Sequence, residues 1–185
     1  VSTPLTDIIA KAYGVNSRRT LVGFKYIGEQ MNELRDDFLL GFEESNGYLT
    51  GLYARDKDGV GGTHMLCSLA AYYKAQGKTI PDVLDEIHDR FGGCVNVTVS
   101  IETEGAPLMK KVRYAVVSGS IASDVAETLD YSGGINGLPK AEIVQFDYSD
   151  GSRLIIRPSG TEPKVKLYIS AADTERIAEI EAQLK

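Results

Sequence analysis

The stretch Gly92-Gly93-Cys94-Val95-Asn96-Val97-Thr98-Val99-Ser100-Ile101 divides the chain, because the hydrophobic period changes there. After the paired glycines, apolar and polar residues alternate, which predicts a β-strand buried on one face. Before them, short apolar runs alternate with segments whose apolar residues recur every three or four positions. We therefore expect two domains of different architecture, residues 1–92 and residues 93–185.

The first domain is predicted to be α/β. Residues 20–23 and 38–42 are brief apolar runs typical of strands, and the second is continuous enough for a strand covered on both faces in a parallel sheet. Segments with helical spacing surround them, and the clearest helix begins with a capping box from Thr79 to Asp82 and stops at Gly92. Two strands are too few for a stable open sheet. We expect a domain truncated at its N-terminus, with its first strands before Val1; a mostly helical domain with a minimal sheet is the alternative.

The second domain is predicted to be a small α+β domain. Alternating segments occupy residues 95–101, 143–148, 153–157 and 165–169, and Ser149-Asp150-Gly151-Ser152 between two of them is a strong hairpin signal. A helix follows from Asp173 or Thr174, with Ile177, Ile180 and Leu184 on one face. This pattern predicts an antiparallel sheet with helices packed on one face.

Composition excludes several classes of function. The chain has 185 residues, and 20 Lys+Arg against 26 Asp+Glu give a net charge of −6, the wrong global sign for binding a nucleic-acid backbone. No apolar run approaches the roughly 20 residues that span a bilayer, so no membrane partner is expected. Cys67 and Cys94 fit neither a disulfide framework nor a zinc spacing, which favours a reducing, cytoplasmic location. Cys67 stands near Leu66 and Leu69 and is predicted to be buried.

The segment Arg157-Pro158-Ser159-Gly160-Thr161-Glu162-Pro163-Lys164 contains the parts of a phosphate cradle. It is predicted to connect two strands. A guanidinium donates to two phosphate oxygens, and hydroxyls and open backbone N–H groups donate to the rest. Lys166 is two residues beyond Lys164 on the following strand, so both side chains are expected on one side. A polar hairpin loop with a solvated arginine is the alternative at this point.

A second segment, Gly41-Phe42-Glu43-Glu44-Ser45-Asn46-Gly47-Tyr48, follows the continuous apolar run. Ligands in open α/β sheets gather at the carboxyl ends of strands. In extended backbone Glu43 and Ser45 point the same way, and an ionised carboxylate accepts hydrogen bonds from two sugar hydroxyls. By itself the segment is better explained as a negatively charged strand end that binds nothing.

The third segment is Arg55-Asp56-Lys57-Asp58-Gly59. Its Asp-x-Asp-Gly pattern suggests a calcium loop, but an EF-hand counted from Asp56 needs a glutamate where Cys67 stands, so calcium is rejected. Lys57, flanked by two aspartates, is a candidate positive charge for a ligand. A charged turn that leads into the next helix is the alternative.

Taken together and in this order, the three segments and Thr20-Leu21-Val22-Gly23-Phe24-Lys25 resemble the α-D-phosphohexomutase family, which includes phosphoglucomutase and phosphomannomutase. The resemblance covers essentially the whole chain, as the latter part of domain three plus domain four of a four-domain enzyme, and is closest to the bacterial α-phosphoglucomutases. It implies interconversion of hexose 1-phosphate and hexose 6-phosphate through a phosphoserine. It also implies Mg²⁺, with ligands outside this chain, and glucose 1,6-bisphosphate as intermediate or activator.

The resemblance also implies site residues. Glu43 and Ser45 match the sugar-binding loop, and Lys57 matches a substrate-contacting lysine; Lys25 is a further candidate. Lys166 stands where relatives often carry arginine, which replaces a bidentate contact by a point charge. The predicted phosphate-binding residues are Arg157, Ser159, Gly160, Thr161, Lys164 and Lys166.

The family's serine loop and its aspartate-rich metal loop are not found in this sequence. We therefore expect no catalytic residue in the chain and no activity without the N-terminal domains of the same enzyme, which are the implied partner besides the phosphosugar. A non-catalytic phosphosugar-binding or sensor module is the alternative function.

Overall fold

A computed structural model describes residues 1–118, 124–135, 137–160 and 162–183. The chain divides into two compact units, Val1–Gly92 and Gly93–Lys185. Within the described ranges, no helix combines the length and the apolar character that a membrane span needs.

Unit 1, residues 1–92, consists of helices around a short hairpin. Phe24, Met31 and Leu49 form a buried cluster, and Ile27, Phe38 and Ala54 pack against it. The predicted capping box is present: Thr79 Oγ1 accepts from Asp82 N, and Asp82 Oδ2 accepts from Thr79 N at 2.7 Å. The elements are α1 (Leu5–Ala12), α2 (Phe24–Leu34), β1 (Leu40–Glu43), β2 (Gly47–Thr50), α3 (Gly59–Lys74) and α4 (Ile80–Phe91).

The hairpin of β1 and β2 is antiparallel, with Glu43 opposite Gly47. The turn between them contains Asn46 at φ 62°, a left-handed conformation that Asn tolerates better than most residues. The strand predicted at residues 38–42 is present at Leu40–Glu43, but the expected parallel sheet around it is not found in unit 1. Leu40 is 45% exposed, because β1 pairs with the adjacent β2 and is not enclosed in a parallel sheet.

Two further expectations for unit 1 are wrong. Residues 20–23 form no strand; Leu21 is buried, but no strand of the unit pairs with this segment, and Gly23 at φ 127° turns the chain into α2. Cys67 is exposed, because the α3 face that carries it is not covered within unit 1.

Unit 2, residues 93–185, has a five-stranded sheet in the order β3-β7-β6-β5-β4, and each neighbouring pair is antiparallel. The predicted turn joins β5 to β6, and Gly151 has φ 86°. The elements are β3 (Val95–Glu102), α5 (Gly105–Ser118), β4 (Val125–Asp130), β5 (Val144–Tyr148), β6 (Arg153–Pro158), β7 (Lys164–Ala171) and α6 (Thr174–Ala182).

Helices α5 and α6 cover the same face of the sheet of unit 2. Met109 of α5 and Ile177 and Ile180 of α6 join one buried cluster with Leu154, Ile156 and Val165. Burying one such side chain fully contributes roughly 1.5–3 kcal/mol, so this cluster holds the strands in place. The predicted α+β domain is therefore confirmed, although sequence analysis did not identify α5 and β4. Leu184, expected on α6, lies outside the described residues.

Candidate functional site

In unit 1 the carboxylate of Glu43 and the ammonium of Lys57 form an ion pair. Lys57 Nζ lies 2.7 Å from Glu43 Oε1. The Glu43 side chain is 13% exposed and that of Lys57 is 53% exposed, so the pair opens to solvent on the lysine side. The hydrogen bond to Glu43 raises the pKa of Lys57 above its ordinary value. Lys57 Nζ also lies 5.9 Å from the centre of the Phe24 ring, within cation–π range.

Glu43 is confined by its neighbours. A Cβ on Gly47 would stand 2.7 Å from Glu43 Cγ and 3.0 Å from Phe24 Cε2. Only glycine at this position leaves room for both the glutamate and the aromatic ring. The hairpin therefore fixes Glu43, and with it the ammonium of Lys57.

The segment that carries Lys57 is fastened by Asp58. The Asp58 N–H donates to Tyr48 O at 2.7 Å, and its carboxylate caps α3 by accepting from Val60 N at 3.0 Å. Tyr53 Oη donates to the other carboxylate oxygen. This hydroxyl lowers the pKa of Asp58, and the carboxylate raises the pKa of Tyr53. Asp58 is thus held ionised between a strand, a helix end and a tyrosine.

Arg55 and Gly28 fix the other end of the same segment. Arg55 Nε donates to Asn32 Oδ1 at 2.6 Å and Nη1 donates to Leu52 O at 2.7 Å. A Cβ on Gly28 of α2 would stand 2.6 Å from Arg55 O, so glycine permits the close approach of helix and loop. Lys57 therefore projects from a segment anchored on both sides.

The other residues predicted to bind the sugar, Ser45 and Lys25, do not join this pair. Strand β1 ends at Glu43, so Ser45 is in the exposed turn and not on extended backbone as expected. Lys25 is exposed on the first turn of α2 with Nζ 4.8 Å from the Tyr26 ring. In the part of the chain that is described, neither Ser45 nor Lys25 hydrogen bonds to Glu43 or Lys57.

In unit 2 the predicted phosphate segment connects β6 to β7. The Ser159 N–H donates to Lys164 O at 2.7 Å and closes the neck of the hairpin, and the Glu162 N–H donates to Ser159 Oγ at 3.3 Å. Gly160 is exposed, and a Cβ there would meet nothing within 4 Å. Thr161 lies outside the described residues.

Two cations face each other across these strands. Arg157 of β6 is the register partner of Lys166 of β7, and the next partner, Ser100 of β3, extends the row. Register partners project from the same face, here the face opposite Val165 and Leu167 of the core. Among residues 1–118, 124–135, 137–160 and 162–183, neither cation forms an ion pair. Like charges directly opposite each other are destabilising unless an anion compensates them.

A hydrogen bond to a buried tyrosine orients the guanidinium. Arg157 Nη1 donates to Tyr168 Oη at 3.3 Å, and Tyr168 is only 7% exposed. Lys164 is on the same face but is partly compensated, because its Nζ lies 3.4 Å from Glu162 Oε1. The uncompensated charge is therefore concentrated on Arg157 and Lys166.

Sequence reasoning missed the supporting residues of both clusters. Tyr53, Tyr168 and Ser100 belong to none of the segments predicted to bind ligand. Tyr168 is 11 residues beyond Arg157, and Ser100 is on a different strand from Lys166. Strand register places Ser100 opposite Lys166, and the loop fold brings Tyr53 onto Asp58. A period-two pattern identifies which face a residue occupies, but not its neighbour across the strands.

A metal site is not formed by the described residues, which contain no group of three or more His, Cys, Asp or Glu side chains placed to hold an ion. Asp56 and Asp58, the two aspartates on either side of Lys57, also do not suit Mg²⁺, because their carboxylates already accept hydrogen bonds within the protein. Asp58 caps a helix and accepts from Tyr53, and Asp56 Oδ1 accepts from Lys57 N at 2.7 Å.

Comparison with protein families matches both units. The family model described as phosphoglucomutase/phosphomannomutase, alpha/beta/alpha domain III, matches residues 1–91. The model described as phosphoglucomutase/phosphomannomutase, C-terminal domain, matches residues 95–185.

Individual proteins agree. A probable phosphomannomutase of Haemophilus influenzae is 39% identical over 176 residues, covering 92% of this chain and 35% of that protein. A phosphoglucomutase of Staphylococcus haemolyticus is 34% identical over 190 residues, covering 92% and 34%. The open form of pp63/parafusin (phosphoglucomutase) from Paramecium superposes with a TM-score of 0.73 at 21% identity, covering 96% and 35%, and shows the same fold.

The chain thus spans about a third of the length of these relatives. Family matches over both units and relatives above 30% identity agree on one assignment. The chain belongs to the phosphoglucomutase/phosphomannomutase (α-D-phosphohexomutase) family and corresponds to its C-terminal portion.

Proposed function

We propose that this chain is the substrate-recognising C-terminal portion of a phosphohexomutase that interconverts hexose 1-phosphate and hexose 6-phosphate. The observation that carries the proposal is the pair Arg157 and Lys166, two cations opposite each other on one sheet face with no ion-pair partner in the described part of the chain. Such a pair suits a bound phosphate, which compensates both charges and accepts several hydrogen bonds.

Residues 93–185 are then the phosphate-binding domain. The guanidinium of Arg157 donates to phosphate oxygens, Lys166 adds a point charge, and Lys164 lies on the same face. Ser159, Gly160 and Thr161 complete the proposed cradle with hydroxyl and backbone donors.

Residues 1–92 are the proposed sugar-binding domain. Because Lys57 is already neutralised by Glu43, this cluster suits uncharged hydroxyls better than a phosphate. Glu43 accepts from hydroxyls, Lys57 donates to hydroxyl oxygens, and exposed Ser45 and Lys25 are the proposed additional contacts.

Recognition of this kind contributes directly to rate. Phosphoryl transfer depends mainly on positioning and on charge stabilisation, so groups that bind the non-reacting phosphate and the hydroxyls lower the barrier. In the proposed reaction a phosphoserine elsewhere in the enzyme donates to one end of the sugar. The resulting hexose 1,6-bisphosphate turns round and returns its other phosphate to the serine. Recognition of a distal phosphate and of hydroxyls suits both orientations.

We assign no chemical step to this chain. The family's serine loop and its aspartate-rich metal loop are not found in this sequence, so we place the metal and the phosphoserine in other domains of the enzyme. The proposed partners are those domains and the phosphosugar, with no nucleic acid or membrane. The free cysteines Cys67 and Cys94 fit a cytoplasmic location.

Calorimetric titration of the chain with glucose 6-phosphate, with glucose and inorganic phosphate as references, tests the proposal. We expect weak binding of glucose 6-phosphate that Arg157→Ala abolishes and that Lys110→Ala leaves unchanged. Lys110 is an exposed lysine of α5 outside the cluster, so it controls for loss of net charge in the same unit. Equal affinity of wild type and Arg157→Ala for glucose 6-phosphate would contradict the proposed phosphate site.

An activity assay with glucose 1-phosphate tests whether the chain needs the N-terminal domains of the enzyme or catalyses the reaction alone. The chain alone should give no glucose 6-phosphate above background. Adding the N-terminal domains of a related mutase in trans should restore turnover if the interface reforms. Turnover by the chain alone, near that of an intact relative, would contradict the assignment. A binding module without chemistry would bind glucose 6-phosphate but recover no turnover with any complementing domain.

A further inference from the structure

The two prolines of the phosphate segment contact one short junction, residues 103–105, which joins β3 to α5. At the exit of the loop, the Thr103 N–H donates to Pro163 O at 3.0 Å. At its entrance, a Cβ built on Gly105 would stand 2.6 Å from Pro158 Cβ and 3.2 Å from Pro158 Cγ. The junction therefore touches both ends of the loop that contains Ser159 and Gly160.

The hydrogen bond from Thr103 extends an existing strand pair. Register between β3 and β7 ends at Glu102 opposite Lys164, and Thr103 continues it by one residue onto the last residue of the loop. The loop exit is thus tied to β3, while its neck is closed by Ser159 and Lys164.

Backbone conformation does not explain the glycine at position 105. Gly105 begins α5 and has no positive φ, so any residue can adopt its backbone angles. Helix propensity alone favours alanine over glycine. The explanation that remains is space, because Pro158 lies where a side chain would be.

We propose that the junction of residues 103–105 positions the phosphate loop, with Gly105 as a positioning residue that sets where Pro158 lies. Arg157 and Ser159 flank Pro158 directly, so a shift of the proline ring moves both proposed phosphate donors. The consequence for phosphate binding rests on the function proposed above, whereas the effect on loop position does not.

Gly105→Ala tests the proposal. Carbon atoms prefer separations of about 3.5–4.0 Å, so the new methyl must displace Pro158 by roughly 1 Å. Gly133→Ala is the matched control, since Gly133 is in the same unit, has no positive φ and would meet nothing within 4 Å.

The first measurement uses the ligand-free chain. Amide resonances of Ser159 and Gly160 should shift in Gly105→Ala, and hydrogen exchange at the Ser159 N–H should accelerate because its bond to Lys164 O is strained. Neither should change in Gly133→Ala. Unchanged Ser159 and Gly160 resonances in Gly105→Ala would overturn the proposal.

The second measurement is affinity for inorganic phosphate. We expect about a tenfold loss of affinity in Gly105→Ala with the fold retained, which is less than the roughly 10²-fold that a 1 Å misplacement costs in reaction rate. A change in stability alone, with affinity retained, would show an ordinary packing role and overturn positioning.

A double substitution tests whether Gly105 acts through its contact with Pro158. Pro158→Gly removes the ring that Gly105→Ala strikes, so in that background the second substitution should cause no further loop shift and no further loss of affinity. Equal effects in both backgrounds would overturn the assignment to Pro158. A wild-type chain that binds no phosphate would refute the proposed function, and the ligand-free loop resonances would still decide the role of Gly105.

Discussion

The cations of the two candidate sites, Lys57 in unit 1 and Arg157 with Lys166 in unit 2, differ in whether a carboxylate neutralises them. In unit 1, Lys57 has Glu43 at 2.7 Å. In unit 2, Arg157 and Lys166 face each other, and no carboxylate of the described residues pairs with either. A cation that already has its carboxylate gains little from a phosphate, whereas two adjacent cations gain much from one.

The presence or absence of a carboxylate beside each cation indicates where an anion binds better than the net charge of the chain does. The chain carries −6 overall, yet Arg157 and Lys166 place two positive charges opposite each other on neighbouring strands. Global charge governs long-range attraction, while a bound anion responds to the nearest few groups.

The largest expected effect is on phosphate affinity in Arg157→Ala. Hydrogen bonds to charged groups contribute roughly 1.5–3 kcal/mol, which corresponds to about a 10- to 100-fold loss of affinity for inorganic phosphate. Arg157→Lys keeps the charge but loses the planar fork, so its affinity should be intermediate. Calorimetry measures both, and a lysine variant as weak as the alanine variant would show that charge contributes nothing there.

The second prediction concerns the free energy of unfolding. Removing a lysine should stabilise unit 2, where the lysine faces another cation, but should not stabilise unit 1, where it faces a carboxylate. Lys166→Met keeps side-chain length and removes the repulsion with Arg157, so the ligand-free free energy of unfolding of unit 2 should rise by roughly 0.2–1 kcal/mol. Lys57→Met removes the partner of Glu43, so unit 1 should not gain stability.

Urea unfolding at low salt, followed through amide resonances of each unit, measures these changes. High salt should shrink both effects, because exposed charges are screened. Stabilisation by Lys57→Met, or destabilisation by Lys166→Met, would contradict the contrast between the clusters.

The smallest effect is on the acid titration of Asp58. The Tyr53 hydroxyl lowers the pKa of Asp58, so Tyr53→Phe should move that pKa upward toward the ordinary value. A lowered folded-state pKa stabilises the fold above the unfolded-state pKa, and this contribution is lost as pH falls through the folded-state pKa. Carbon-13 resonances of the Asp58 side chain measure the shift, and identical titrations of wild type and Tyr53→Phe would exclude the hydroxyl as its cause.

Sequence patterns predicted the parts of the fold that depend on local rules. The capping box of α4, the turn at Gly151 and the strands on either side of the phosphate segment are all present. Each depends on residues close together in the chain, whose spacing is visible in the sequence.

Sequence patterns predicted the structure wrongly where contacts between distant segments determine it. The apolar run at residues 20–23 has no partner strand in unit 1, and exposed Cys67 lies on a helix face that unit 1 does not cover. Helix α5 was missed because Pro107 and the basic residues Lys110 and Lys111 obscure its apolar face, of which Met109 is fully buried.

The candidate residues were predictable, but their pairing was not. Glu43 and Lys57 are 14 residues apart and meet only because the loop anchored by Asp58 returns to the hairpin. Arg157 and Lys166 are opposite each other only in the observed register of β6 and β7. The contrast in charge compensation therefore became visible only in three dimensions.

The most direct test of that contrast is a titration of the whole chain with inorganic phosphate, followed residue by residue through backbone amide resonances. The account predicts saturable shifts at Arg157, Ser159, Gly160 and Lys166, with Glu43 and Lys57 unmoved. Shifts centred on Glu43 and Lys57, with residues 157–166 unmoved, would contradict it.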